Sequence, residues 1–216
     1  MIRLVAVSLL ALLAVAACDR PETPAEPSSA ASATSANNDA APAVASPPAA
    51  ATPAVTDRNL VSADGWGPLR VGMTVAEVTA AVGADSQPNA VGGADPASCD
   101  EFHPARAPEG LRVMMVDDRL ARITLARAAT LKTDRGFGLG DAASAIKASY
   151  GGAVIAQPHK YQSAPAEDLF AWREGASTAY VTAPAARGIR YEIGSDGKVM
   201  AIHAGGPAIQ YVEGCA

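Results

Sequence analysis

An α+β fold is predicted for this chain: two tandem repeats of a short helix followed by antiparallel strands, with the helices on one side of the sheet. Three observations predict it. Apolar residues at helical spacing occur in short bursts that begin at a turn and stop at glycine. Alternating apolar strands come in pairs around tight turns. The same helix frame then returns 68 residues later.

The first helix opens at Gly72-Met73-Thr74 and closes at Gly83, with Val75, Val78 and Val82 at helical spacing. Thr74 followed three residues on by Glu77 is a capping-box pattern, and glycine commonly follows a helix end. In the second copy Gly140 and Gly151 match the two glycines, while Ala143, Ile146 and Tyr150 match the three valines. Asp141 is the expected cap there, one position out of frame with Thr74. The repeats cover about residues 65–127 and 134–204.

A hairpin follows each helix. Residues 111–116 and 119–125 flank a turn at Asp117-Asp118, and residues 189–193 and 198–204 flank Ser195-Asp196-Gly197. Leu111, Val113 and Met115 line one strand face, as do Ile189, Tyr191 and Ile193, so each sheet has a buried side. In the return strands the apolar pairs Leu120/Ile123 and Val199/Ile202 lie three apart, which strict alternation places on opposite faces; a bulge or strong twist is predicted after each turn. Further strands are predicted at 98–103, 153–157, 168–172 and 176–182.

This turn-helix-hairpin duplication resembles the β-lactamase inhibitory protein fold and the SmpA/OmlA-type outer-membrane assembly lipoproteins. The resemblance covers about 140 residues and implies a domain that binds other proteins and is not an enzyme.

Ahead of the domain, Arg3 and an apolar run of 14 residues, 4–17, form an export signal too short to span a bilayer, which needs about 20 residues. Val15-Ala16-Ala17 before Cys18 resembles the lipobox of bacterial lipoprotein precursors. That resemblance implies removal of residues 1–17, acyl chains such as palmitate on Cys18, and a protein held on the cell envelope facing the periplasm, the outer membrane favoured over the inner. Residues 19–57 hold 13 Ala and 7 Pro among 39 residues and no aromatic, Leu, Ile or Met, a composition expected to stay a disordered tether. The single folded domain is residues 58–216.

The formal charge of −5, with dispersed basic residues, excludes a nucleic-acid partner, which needs a clustered basic face. With Cys18 used by lipid, Cys99 and Cys215 remain as an even pair in an oxidising compartment. A disulfide between them is expected; two unpaired thiols, or metal ligation by Cys99 with His103, are the alternatives weighed. No metal site or cofactor is expected, because no second ligand pair stands at metal-like spacing.

Catalytic motifs are equally sparse. Gly136-Phe137-Gly138-Leu139-Gly140 has the wrong spacing for a dinucleotide fingerprint and reads as a turn. No Gly-x-Ser-x-Gly elbow accompanies His103, His159 and His203, and Asp100 and Glu101, adjacent in a strand, point to opposite faces and read as solvated groups or turn-proximal hydrogen-bond acceptors. Trp66, His159 and Tyr161 are the candidate interface residues, with Trp66 as a cap on the edge of the core the alternative; Arg112, Arg187 and Arg190 fit either a modest basic strip or solvated strand faces. The expected function is a non-enzymatic, membrane-anchored envelope lipoprotein acting as a protein-interaction or assembly module, with an envelope protein as partner and no small-molecule substrate. The alternatives are a periplasmic small-ligand or glycan-binding module, with Trp66, Trp172 and Tyr161 as stacking platforms, and an inhibitor of an exported enzyme.

Overall fold

The computed structural model describes residues 59–216. The signal segment, Cys18 and the tether lie outside the described residues. Within them the fold is mixed α+β: two helices and one large antiparallel sheet, with two small strand pairs beside it. In chain order the strands are β1 (Leu60–Val61), β2 (Gly65–Trp66), β3 (Leu69–Arg70), β4 (Cys99–Phe102), β5 (Leu111–Val116), β6 (Arg119–Ala126), β7 (Lys132–Thr133), β8 (Val154–Pro158), β9 (Glu167–Trp172), β10 (Gly188–Ile193) and β11 (Val199–Gly205). The helices are α1 (Val75–Val82) and α2 (Ala143–Tyr150). The large sheet runs β4-β5-β6-β11-β10-β9-β8, while β1 pairs in parallel with β7 and β2 pairs antiparallel with β3.

Helix α1 starts and stops where its residues dictate. Thr74 accepts from the Glu77 amide, Glu77 Oε2 accepts from the Thr74 amide at 2.8 Å, and Gly83 closes the helix. Helix α2 departs from expectation at its start. Its N-cap is Ala142, in frame with Thr74, and no side chain caps it. Asp141 instead accepts from the Gly138 amide at 2.8 Å, so its carboxylate is engaged by the preceding turn. Equivalent backbone bonds hold both helix starts to the sheet. Gly72 N donates to Leu120 O and Leu120 N to Met73 O; Gly140 N donates to Val199 O and Val199 N to Asp141 O.

Both predicted bulges are present. Between Met114 and Met115 the partner shifts from Arg122 to Leu120, leaving Ala121 extra; between Glu192 and Ile193 it shifts from Ala201 to Val199, leaving Met200 extra. Each extra residue turns the apolar residues on either side of it to one face. Leu120, Ile123, Val199 and Ile202 thereby join Val78, Val82, Ala143 and Ile146 in a single core, so both helices cover the same side. Tyr191, fully buried there, links Tyr150 Oη at 2.9 Å with Thr133 Oγ1 at 3.2 Å.

One expected strand is a loop. Residues 176–182 pair with no strand, because β9 already has β8 and β10 on its two sides. The Gln210 side chain supplies a substitute ladder, accepting from Val181 N at 2.9 Å and donating to Val181 O at 2.7 Å.

Candidate functional site

The sheet face away from the helices carries charge. Strand register places its side chains in rows, since cross-strand partners share a face. One row runs Arg112, Thr124, His203, Arg190, Phe170 and Ile155 from β5 to β8; the next runs Ala201, Glu192, Asp168 and Gln157. A third passes from Glu101 through Met114 and Arg122 to Gly205, Gly188 and Trp172. The two glycines keep this row low: a Cβ on Gly188 would lie 2.7 Å from the Trp172 ring, and one on Gly205 would lie 2.3 Å from Ala121 O.

A C-terminal strap crosses the face. A 3-10 turn, Pro207–Gln210, buries Ile209 against Phe170, Trp172 and Ala186. Beyond it the chain reaches Cys215, which is bonded to Cys99 on β4 with Cα atoms 5.4 Å apart. Under the strap Arg122 donates to Ala208 O at 3.2 Å and Tyr211 O at 2.9 Å, and pairs with Glu101. Arg112 Nε sits 2.8 Å from the other oxygen of Glu101. Burial lowers the Arg122 pKa to about 10, opposed by Glu101, so it stays charged at neutral pH.

The other half of the face centres on Glu192. His203 Nε2 lies 3.2 Å from Glu192 Oε2, His159 Nε2 lies 3.1 Å from Oε1, and Arg190 Nη2 donates to Oε2 at 3.1 Å. Hydrogen bonding from His203 comes first among the causes that hold the Glu192 carboxyl well below the usual range, with His159 and Arg190 adding to it. Burial, reinforced by Arg190 and Arg122, pushes His203 down to about 3 against the pull of Glu192. His203 is thus neutral at pH 7. Its Nε2 lies 3.2 Å from both Glu192 Oε2 and Arg190 Nη2, and its Nδ1 lies 3.1 Å from Thr124 Oγ1, so both ring nitrogens are engaged. Asp168 Oδ1 faces Arg190 Nε at 3.4 Å, an ion pair not aligned as a hydrogen bond. Burial raises the Asp168 pKa, with Arg190 opposing and Glu192 adding.

Several expected roles change in the folded chain. Trp66 is 9% exposed and belongs to the core, and Trp172 is buried with its ring stacked on Phe170. Of the three rings weighed as stacking platforms, only Tyr161 is exposed, at 62%. His159 has a nearly buried side chain held by Glu192. Glu101 is buried and ion-paired, not solvated, because the strap seals its side of β4; Asp100 is half-buried. Arg190 is also buried, so the basic strip with Arg112 and Arg187 is not a continuous solvent-facing surface. His103 stands beside β4, in a separate cavity with Ser86 and Arg127, away from the other two histidines. Among the described residues no three His, Cys, Asp or Glu side chains are grouped to hold a metal ion, and Cys99 is taken by the disulfide.

Sequence reasoning missed Thr124, Arg122, Asp168 and Glu192. Their signal was the polar half of each alternation: Arg190 and Glu192 interleave with Ile189, Tyr191 and Ile193, and Arg122 and Thr124 with Ile123 and Leu125.

At the rim of this face lies a group of exposed tyrosines. Tyr161 Oη and Lys160 Nζ both bind Glu213 Oε1, the latter at 2.7 Å, and Lys160 Nζ stands 5.1 Å from the Tyr161 ring centre. Tyr180, 63% exposed, shares a cavity wall with Lys160 and Val212. Tyr211 and Val212, both exposed, extend the patch along the strap.

The chain matches no protein-family model, no curated protein and no solved structure.

Proposed function

We propose that this protein is a non-enzymatic lipoprotein of the bacterial envelope, anchored through lipid on Cys18, whose α+β domain binds another envelope protein. The observation that carries the reading is the tyrosine patch. Tyr161, Tyr180 and Tyr211 are exposed beside Val212, whereas Tyr150 and Tyr191 are in or against the core. Tyrosine supplies a large amphipathic contact area at low entropy cost, which is why it anchors protein interfaces. On the charged face behind the patch, His159 and His203 are both held by Glu192. In catalysis a histidine must reach a reacting atom, and His203 is 5% exposed with both ring nitrogens engaged.

Internal duplication is part of the same proposal. Its support is the matched pair of backbone clamps at Gly72/Leu120 and Gly140/Val199, the two bulges at Ala121 and Met200, and a strand order in which β4-β5-β6 meets β11-β10-β9 at a β6/β11 seam. These features fit the helix-and-hairpin repeat expected from the sequence.

The test is photo-crosslinking in whole cells with a photoreactive residue at position 180 or 161, beside fractionation of Cys18→Ser. One reproducible envelope protein captured from both positions, and release of Cys18→Ser from the membrane, are the expected results. A domain that captures nothing from either position removes the interaction reading. A Cys18→Ser protein that stays on the membrane removes the lipid anchor.

A further inference from the structure

Between β8, β9 and the strap opens a cavity of about 500 Å³ whose walls include Pro158, Phe170, Tyr180 and Val212, with Asp168 and Lys160 as its charged groups. We propose that this cavity is a socket for a cationic side chain, lysine or arginine, of the partner protein: Asp168 receives the charged head, and the apolar walls hold the aliphatic stem. The inference rests on the interaction reading above and names the chemistry of what is bound.

Hydrogen bonding is the first support. Asp168 is 6% exposed, yet its buried Oδ1 has no hydrogen-bond partner among the described residues and faces only the misaligned Arg190 Nε at 3.4 Å, whose guanidinium also has Nε and Nη1 unfilled. Buried carboxylates normally collect donors, because an unfilled acceptor out of water costs free energy. A ligand carrying N–H groups supplies what the fold leaves out.

Charge is the second. Two carboxylates, Asp168 and Glu192, stand against the single guanidinium of Arg190, and Lys160 at the rim is neutralised by Glu213 at 2.7 Å. His159 and His203 both bind Glu192, so Asp168 is the carboxylate of this pair that keeps only Arg190 beside it, which favours a cation over a carboxylate or phosphate. The walls agree: Lys and Arg stems pack along apolar surface, and their heads are attracted to aromatic faces such as Phe170 and Tyr180. Burial already raises the proton affinity of Asp168, so an arriving cation takes the place that a proton otherwise competes for.

The experiment is an NMR titration of the full-length protein with Nα-acetyl-lysine methylamide, following the ring signals of Phe170 and Tyr180. Controls are the uncharged norleucine analogue and methyl β-glucopyranoside. Saturable shifts with the lysine probe are expected, with the norleucine analogue and the Asp168→Asn protein each weaker by about tenfold. Tyr180→Ala, altered at an exposed ring, should bind about threefold more weakly. Equal binding of the norleucine analogue, preference for the glycoside, no saturation at all, or an Asp168→Asn protein that binds as well as the parent overturns the proposal. If Asp168→Asn does not fold, the norleucine comparison and Tyr180→Ala still decide. A partner crosslinked from position 161 as efficiently in Asp168→Asn as in the parent sinks the socket and leaves the interaction reading standing. Saturable lysine binding by a protein that captures no partner keeps the socket and removes the interaction reading.

Discussion

The two halves of the charged face are built from the same residue types and end in different states. In the β4–β6 half, two arginines share Glu101, and the C-terminal strap supplies Ala208 O and Tyr211 O to Arg122 before the disulfide fixes its end to β4. In the β8–β11 half two carboxylates share Arg190, two histidines bind Glu192, and Asp168 opens on a cavity ringed by exposed tyrosine and valine. One half sets two guanidiniums around one carboxylate, with backbone carbonyls taking further donors of Arg122; the other sets two carboxylates around one guanidinium, with Asp168 on the wall of a cavity. Unfilled buried polar atoms occur in both halves, Arg112 Nε and Arg122 Nε in the first and Asp168 Oδ1, Arg190 Nε and Arg190 Nη1 in the second; the second half differs in that Asp168 lines a cavity.

That contrast can be broken from the closed side first. Removing the disulfide with a Cys99→Ser, Cys215→Ser pair reopens a loop of 116 residues and should cost about 4–5 kcal/mol, measured by urea unfolding against the oxidised parent. A loss below about 1 kcal/mol would mean that packing of Ile209 alone holds the strap. Arg122→Ala should follow at about 3–4 kcal/mol, because it removes one of the two guanidiniums paired with buried Glu101 and frees two carbonyls. The corresponding change in the open half, Asp168→Asn, should cost less, since its buried Oδ1 has no hydrogen-bond partner among the described residues to lose.

Acid sharpens the comparison next. The His203 pKa is about 3 in the folded chain and near 6.5 unfolded, so the unfolded chain binds the extra proton in between and stability falls as pH drops below about 6.5. Glu192, held low by its donors, adds a further loss below about pH 4.5, while the raised Asp168 opposes both. The groups facing His203 are Glu192, Arg190, Arg122 and Thr124. Unfolding free energy measured from pH 7 to 4.5 should decline with a slope approaching about 1.4 kcal/mol per pH unit, and His203→Gln should flatten it. A parent profile already flat in that window would contradict a neutral buried His203. Smallest in stability is Tyr180→Ala, expected within about 0.5 kcal/mol of the parent by thermal unfolding yet impaired in crosslinking from position 161.

Much of the fold was legible because its signals are local. The capping box at Thr74 and Glu77 formed as expected, since its partners are three residues apart. The three-residue spacing of Leu120/Ile123 and Val199/Ile202 located both bulges, because a strand can place such residues on one face only by carrying one extra. Asp141 misled as a cap because its carboxylate had a nearer donor in Gly138, and residues 176–182 misled as a strand because their partner is one glutamine side chain. The candidate site was less legible. Trp66 drew notice as an aromatic and proved to be core, while Asp168 and Glu192 looked like ordinary strand polar residues.

By itself the sequence determined the short-range outcomes: where helices start and stop, where hairpins turn, and which strand faces are apolar. Tertiary structure alone decided that β6 lies beside β11, and with that seam the row Arg112, Thr124, His203, Arg190 came into line. Those residues are separated by up to 91 positions in the chain and meet only across hydrogen-bonded strands. Such neighbours, and the pKa values and open carboxylate they produce, depend on register between distant segments, which no local pattern of residues encodes.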